Sequence, residues 1–333
     1  MEKVCIIGAG NMGTALAVQI LKNNYFVNFF TIEEDVVNQI NTRHENIKYL
    51  PGVNLEKNVV AYSNYKEALN ETKYVVITVP SHIVEGVITN MLPYLNNSHI
   101  IVNVAKGICP KTQRTMSNVI KDALPDSMKN NIVSLSGPSI ANEIGKNMPT
   151  FVVISSENTK LLKPISKLFT TDTFKVYTNP DKKGVELGGF LKNIIAILAG
   201  ICDGLKYGVN TKAALITRGY REMVLIAEAS STNKQTLSGL SGLGDLIVTC
   251  FSEHSRNRRF GEKLALGLSV EQAKQEIGQA VEGIIAAKMA MQIAKDKRLK
   301  LKLIPEIYNI IYKGKNAKKA IADFIKNDSV EEF

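Results

Sequence analysis

The chain begins Val4-Cys5-Ile6-Ile7-Gly8-Ala9-Gly10-Asn11-Met12-Gly13, an apolar run that feeds straight into a Gly-x-Gly-x-x-Gly turn. Each glycine has its own physical task. The first permits a tight strand-to-helix turn, the second lets backbone approach a pyrophosphate, and the third lets helix pack closely on sheet. The helix that follows turns its first N–H groups toward the phosphates. The pattern alone is weak, so its flanks decide. Thr14 to Lys22 reads as an amphipathic helix and Phe26 to Phe30 as a second strand, ending just before Glu33, Glu34 and Asp35. Glu33 lies 20 residues beyond Gly13, the spacing at which a carboxylate accepts hydrogen bonds from an adenosine ribose and repels a 2′-phosphate. These features predict a dinucleotide site that favours NAD over NADP. The same acidic cluster would also serve as helix-capping charge, and the sequence leaves Glu33 between the two roles.

Val79-Pro80-Ser81, Ala105-Lys106-Gly107 and Ser136-Gly137-Pro138-Ser139 each follow an apolar run of strand type. They would lie at the carboxyl edge of a parallel sheet, where open α/β folds bind ligands. Lys106 would then face a cleft, and Gly137 and Ser139 would offer backbone and hydroxyl donors to a substrate. Loop glycines and prolines also occur simply as turn residues.

Lys192 sits on a helical run, Gly184 to Ile195, with Gly188, Gly189, Ile195 and Ala196 as its neighbours on the helix face. A mid-helix glycine costs about 1 kcal/mol against alanine, so close approach of another segment or of a ligand is expected in compensation. Enclosure lowers a lysine pKa toward the range of a general acid or base; the plainer reading is a snorkelling side chain whose stem covers apolar surface. Asp245, between Gly244 and the apolar run Leu246 to Val248, needs a partner if buried. An enclosed lysine would supply it, giving a Lys192/Asp245 pair in which the carboxylate orients the ammonium. Ser255-Arg256-Asn257-Arg258-Arg259-Phe260-Gly261 is dense in donors, and arginine's planar fork suits a phosphate. A solvated basic loop has the same composition.

These residues need elements to position them. From Met1 to about Thr178 apolar runs at Tyr74 to Val79, His99 to Val104, Ile132 to Leu135 and Phe151 to Ile154 alternate with helical stretches. That alternation predicts an α/β fold, an N-terminal Rossmann-like, doubly wound, mostly parallel sheet. After Phe174 to Thr178 strand-type runs stop, and helical segments continue from Lys183. The expected division is a dinucleotide-binding domain over 1–179 and an all-α substrate and catalytic domain over 180–333, with the active site in the cleft.

With 333 residues, 45% of them hydrophobic and 22% charged, the chain has the make-up of a globular protein with room for two domains. Its longest aliphatic stretch, Ile194 to Ile201, falls short of the roughly 20 residues that cross a bilayer, so no membrane span is expected. A first strand near Lys3 leaves no room for a leader peptide, and Val330-Glu331-Glu332-Phe333 is no peroxisomal address. The expected location is cytoplasmic. Cys5, Cys109, Cys202 and Cys250 lack C-x-x-C spacing, as in a reduced protein, and His44, His82, His99 and His254 lack ligand spacing, so no metal is expected. Much of the net charge of +10 is spread along Lys295 to Lys326 among apolar helix positions, as on a solvated face. No run interleaves basic and exposed aromatic residues as a nucleic-acid groove would.

Together the motifs Gly8 to Gly13, Val79 to His82, Lys106-Gly107, Ser136 to Ser139, Val185 to Asn193, Gly242 to Cys250 and Ser255 to Gly261 resemble the NAD(P)-dependent sn-glycerol-3-phosphate dehydrogenases over essentially the whole chain. The resemblance implies reversible hydride transfer between NAD(P)H and dihydroxyacetone phosphate, giving sn-glycerol 3-phosphate, the glycerophospholipid precursor. It implies Lys192 as the catalytic lysine, with Lys106, Asp245 and Thr249 beside it in the chemistry. Substrate contacts implied are Lys106, Gly137, Ser139, Lys192, Asn193, Asp245, Ser255, Arg256 and Asn257. On the cofactor side are Gly8, Gly10, Asn11, Met12, Gly13, Glu33, Tyr49, Pro80, Lys106, Ala141, Arg256, Ala280 and Glu282. A homodimer is implied as well. Glu33 to Asp35 and Ile40 to Gly52 look like the eukaryotic NAD-linked branch, whereas Ser241 to Asp245 and Ser255 to Gly261 look like the bacterial one; the acidic cluster favours NAD, with NADP as the alternative. Two rivals remain at this point. One is a β-hydroxyacid dehydrogenase with its own helical lysine and a carboxylate substrate, and the other is a non-catalytic NAD sensor, which would have lost residues such as Lys192, Lys106 and Asp245.

Overall fold

A computed structural model describes residues 2–109, 112 and 114–327; the C-terminal Val330 to Phe333 lies outside them. The chain divides into two compact units, Met1–Glu186 and Leu187–Phe333. The division falls inside a continuous helix, Lys182–Gly204.

The first unit holds strands β1 (Lys3–Ile7), β2 (Phe26–Phe30), β3 (Val59–Tyr62), β4 (Thr72–Ile77), β5 (Ile100–Asn103), β6 (Ile132–Ser136), β7 (Thr150–Ser155) and β8 (Phe174–Asn179). They form one sheet in the order β3-β2-β1-β4-β5-β6-β7-β8. Every pairing is parallel except β6 with β7. The sheet is thus doubly wound and largely parallel, as the alternation of apolar runs predicts. The apolar opening is continuous because both faces of the sheet are covered. Val4 and Ile6 pack into one buried layer with Leu16, Ile20 and Phe29, while Cys5 and Ile7 face the opposite layer with Val75, Ile77 and Ile120. Strand β3 escapes a sequence reading: it is four residues long, at the edge of the sheet, and Val60 is exposed.

Helix α1 (Asn11–Lys22) leaves the glycine turn, and α2 (Glu34–Arg43) follows β2. The second unit is helical, from α3 (Lys182–Gly204) through α4 (Val209–Ala229), α5 (Asp245–Phe251), α6 (Arg256–Ala265), α7 (Glu282–Asp296) and α8 (Leu303–Lys313), among others. By length and composition α3 could cross a membrane, but 94% of its apolar window is buried inside the protein, so it is a core helix. Its glycines serve close packing. A Cβ on Gly200 would lie 1.8 Å from the Arg258 carbonyl oxygen, and one on Gly261 would lie 2.0 Å from that of Ile197. Helices α3 and α6 therefore cross with their backbones nearly in contact, which no larger residue at these points allows. The four cysteines are buried thiols outside any disulfide, and burial pushes Cys202 and Cys250 up to about 12.

Glu222 on α4 ties a distant helix end. Its carboxylate accepts from the backbone N–H of Lys302 at 2.6 Å, Leu303 at 2.8 Å and Ile304 at 2.8 Å, closing the N-terminus of α8. Burial raises its pKa, and the three N–H donors oppose that rise. Glu222→Ala strips the acceptor from all three donors. Unsatisfied buried groups cost about 1–3 kcal/mol each, so a net loss of about 3 kcal/mol is expected. Calorimetry should show a Tm lower by about 8 °C.

Candidate active site

In the first unit the glycine turn is built as its spacing requires. Gly8 takes φ +105°, in the region that favours glycine. A Cβ on Gly13 would lie 2.1 Å from the Gly8 carbonyl oxygen, so the helix start rests directly on the turn. Gly10 is different: a Cβ there would meet nothing within 4 Å. No side chain caps α1 at Gly10. The turn thus presents open space and uncapped helix N–H groups at Asn11 and Met12, which suits a pyrophosphate. Asn46, fully buried, holds the turn from outside by donating to the Ala9 carbonyl at 2.7 Å and to Thr14 Oγ1 at 2.8 Å. Thr78 Oγ1 donates to the Gly8 carbonyl at 2.7 Å.

Glu33 occupies the N-cap position of α2, yet its side chain makes no capping hydrogen bond. It accepts instead from the Tyr49 hydroxyl at 2.6 Å and pairs with Lys48. Lys48 and Tyr49 together hold the Glu33 carboxyl below its usual range. Asn46 and Lys48 fall within the Ile40 to Gly52 resemblance but are not among the residues the sequence singles out, because a loop after α2 with no periodic relation to Glu33 gives no signal of what it touches.

Strands β5 and β6 are parallel neighbours, so the segments after their C-terminal ends run side by side. That brings Lys106 Nζ within 2.7 Å of the Gly137 carbonyl and 3.0 Å of Ser139 Oγ. Gly137 takes φ +116°, which makes the bend possible. Pro80 precedes a short 3₁₀ turn after β4, and Ala141 begins the helix Ala141–Gly145 after β6.

In the second unit Lys192 projects from α3 and is only 6% exposed. Its Nζ lies 2.5 Å from Asp245 Oδ1 and donates to Thr249 Oγ1 at 2.8 Å. Asp245 is 1% exposed. Asp245 and Thr249 are one turn apart on α5, so both face the same lysine. The hydroxyl of Thr249 in turn donates to the Asp245 carbonyl at 2.6 Å. Gly188, one of the two glycines beside Lys192, now has a cause. A Cβ on Gly188 would lie 2.8 Å from the Ser241 carbonyl oxygen and 3.1 Å from Gly242 Cα. The π-helical turn Leu240–Gly244 therefore comes against α3 at Gly188 and delivers Asp245 to Lys192.

One residue on, Asn193 joins a second cluster. Asn257 Nδ2 donates to Asn193 Oδ1 at 2.9 Å, Asn193 Nδ2 donates to Glu282 Oε2 at 3.4 Å, and the Gly283 N–H donates to Asn257 Oδ1 at 2.8 Å. Ala280 lies exposed just ahead of α7. The segment read as a donor-rich loop is the start of a helix: Ser255 caps α6 through a bond from the Arg258 N–H. Arg258 points elsewhere, to Asp203 at 2.7 Å and Glu262 at 2.8 Å, so this arginine is committed to structure. Arg256, at the first position of α6, and Asn257 remain at a helix N-terminus that favours anions.

The sheet order and the open glycine turn define a dinucleotide-binding protein of the Rossmann type. Residues 3–162 match the profile of the NAD-dependent glycerol-3-phosphate dehydrogenase N-terminus, and residues 181–322 that of its C-terminus. The chain belongs to this family. It is 44% identical over 332 residues to a glycerol-3-phosphate dehydrogenase (NAD(P)+) of Clostridium tetani, covering 100% of this chain and 94% of the relative. A protein of the same description from Bacillus licheniformis is 40% identical over 334 residues, with 100% and 96% covered. The crystal structure of glycerol-3-phosphate dehydrogenase from Coxiella burnetii superposes with a TM-score of 0.89 at 34% identity, over 98% of this chain and 99% of that one.

Proposed function

We propose that the protein catalyses the reversible reduction of dihydroxyacetone phosphate to sn-glycerol 3-phosphate with NADH or NADPH. The observation that carries this reading is the buried Lys192–Asp245 pair with the half-buried Thr249 hydroxyl on the same lysine. A lysine held at a fixed point by a carboxylate and a hydroxyl is suited to move a proton to and from a substrate oxygen. The reduced nicotinamide, when bound, supplies a hydride to the carbonyl carbon. Lys192 gives its proton to the carbonyl oxygen and retrieves it in the reverse direction. Asp245 stabilises the ammonium and fixes its direction, and Thr249 takes one of its hydrogen bonds.

From the first unit we assign Lys106, with Gly137 and Ser139, to orienting the substrate. From the second, Arg256 and Asn257, with Ser255 capping their helix, take the phosphate, and Asn193 holds Asn257 in place. Gly8, Gly10, Asn11, Met12 and Gly13 receive the dinucleotide phosphates; Glu33 and Tyr49 take the adenosine ribose. Pro80, Lys106, Ala141, Arg256, Ala280 and Glu282 complete the cofactor side. The working enzyme is a cytoplasmic homodimer that supplies the backbone of glycerophospholipids; sedimentation reports the dimer directly. A mixture of purified protein, dihydroxyacetone phosphate and NADH is expected to lose NADH absorbance steadily. Cofactor that binds without being consumed would end the dehydrogenase reading.

A further inference from the structure

We propose that Lys48 is the residue that lets this chain accept a 2′-phosphate, and with it NADPH, at a site whose acidic cluster would otherwise select NADH. The inference rests on the dehydrogenase reading above. Three consecutive carboxylates, Glu33, Glu34 and Asp35, begin three residues after the end of the second strand of the dinucleotide fold. Such a cluster repels a phosphate on the ribose. The structure sets Lys48 against it. Lys48 Nζ pairs with Glu33 and also reaches Asp35 Oδ2 at 3.3 Å, while the Tyr49 hydroxyl donates to the other oxygen of Glu33 at 2.6 Å.

The position is defined from the sequence upward. Asn46, fully buried, ties its loop to the glycine turn through Ala9 and Thr14. The chain therefore reaches residues 48 and 49 at a set distance from the phosphate-binding turn. The Lys48 and Glu33 side chains are 42% and 30% exposed, so the pair is open to an incoming ligand. Beside it Ile32 is 83% exposed. Glu33 has capacity for ribose hydroxyls beyond its bonds to Lys48 and Tyr49, since a carboxylate offers about four acceptor sites. A 2′-phosphate instead meets the ammonium, which carries three donors. Lys48 thus offsets part of the repulsion, and the choice between cofactors turns on its charge against that of Glu33.

The test compares NADH and NADPH in wild type, Lys48→Met, Lys48→Arg and Glu33→Gln. Two readouts are taken: kcat/KM with dihydroxyacetone phosphate, and Kd from nucleotide fluorescence without substrate. Lys48→Met is expected to shift preference away from NADPH by about tenfold in both: the NADPH to NADH ratio of kcat/KM falls and that of Kd rises. Lys48→Arg, which keeps the cation, should hold the ratio near wild type, and Glu33→Gln should move it the other way. The shift should shrink at high salt, because the pair is exposed. A ratio in Lys48→Met within twofold of wild type, an equal loss for both cofactors, or a wild type that binds NADH but never NADPH would each overturn the inference. Failure of the dehydrogenase reading is a separate result: both cofactors bind, with or without the Lys48 effect, and neither is oxidised.

Discussion

Replacing Lys192 by methionine is expected to lower kcat by about 10³-fold while leaving NADH able to bind. Proton transfer by a placed side chain contributes about 10²–10⁴-fold, and methionine keeps the volume of the lysine stem without its proton. The variant also strands Asp245, which is 1% exposed and pairs with Lys192 at 2.5 Å. Removing one partner of a buried pair costs about 3–5 kcal/mol, so Lys192→Met alone should melt at a lower temperature. Lys192→Met/Asp245→Asn removes the unpaired charge and should recover much of that loss without recovering turnover. Stopped-flow binding, steady-state rates and calorimetry on the two variants separate the chemical loss from the structural one. A double variant that regained activity with its stability would show that Lys192 acts only by holding the fold.

The second large effect comes from the glycine turn, where two neighbouring glycines should fail in different ways. Gly13→Ala places a methyl 2.1 Å from the Gly8 carbonyl oxygen. The obstacle is backbone, which no rotamer change relieves, and the cost should exceed about 3 kcal/mol. Helix α1 would have to shift off the turn, so stability of the first unit and cofactor binding should fall together. Gly10→Ala meets no atom within 4 Å, and Gly10 has φ −79° and ψ −172°, a conformation that alanine adopts freely. That variant should fold normally, yet its methyl fills space needed by a pyrophosphate. We expect NADH affinity to fall by more than about tenfold, or 1.4 kcal/mol. Thermal melts paired with fluorescence titration distinguish the two. Normal NADH binding by Gly10→Ala would move the phosphates away from this turn.

Much of the site is legible along the chain because its parts are short and their signals local. The strand-to-helix glycine turn, the continuous apolar strands and the long helical second half all follow from spacing and periodicity. Mid-helix glycines beside Lys192 announce a close approach, and Asp245 announces the need for a partner. The structure supplies the segment that approaches, the π-helical turn at Ser241 and Gly242. Other features have no local signal. Arg256, Arg258 and Arg259 read alike in sequence, but one helical turn directs Arg258 to Asp203 and Glu262. Strand β7 runs antiparallel to β6, a reversal that apolar runs of equal length do not express.

By itself, the sequence determined the class of fold, the glycine turn and, through a resemblance carried by seven short motifs, the family and a set of candidate site residues. Only the tertiary structure decided which of them meet. Glu33 is held by Lys48 and Tyr49 instead of capping its helix, Asn46 secures the glycine turn, and Glu222 closes a helix end some 80 residues away. The physical reason is common to all three. Helix and strand periodicity arise from neighbours a few residues apart, whereas these contacts join positions whose separation in the chain sets no separation in space until the elements between them have packed.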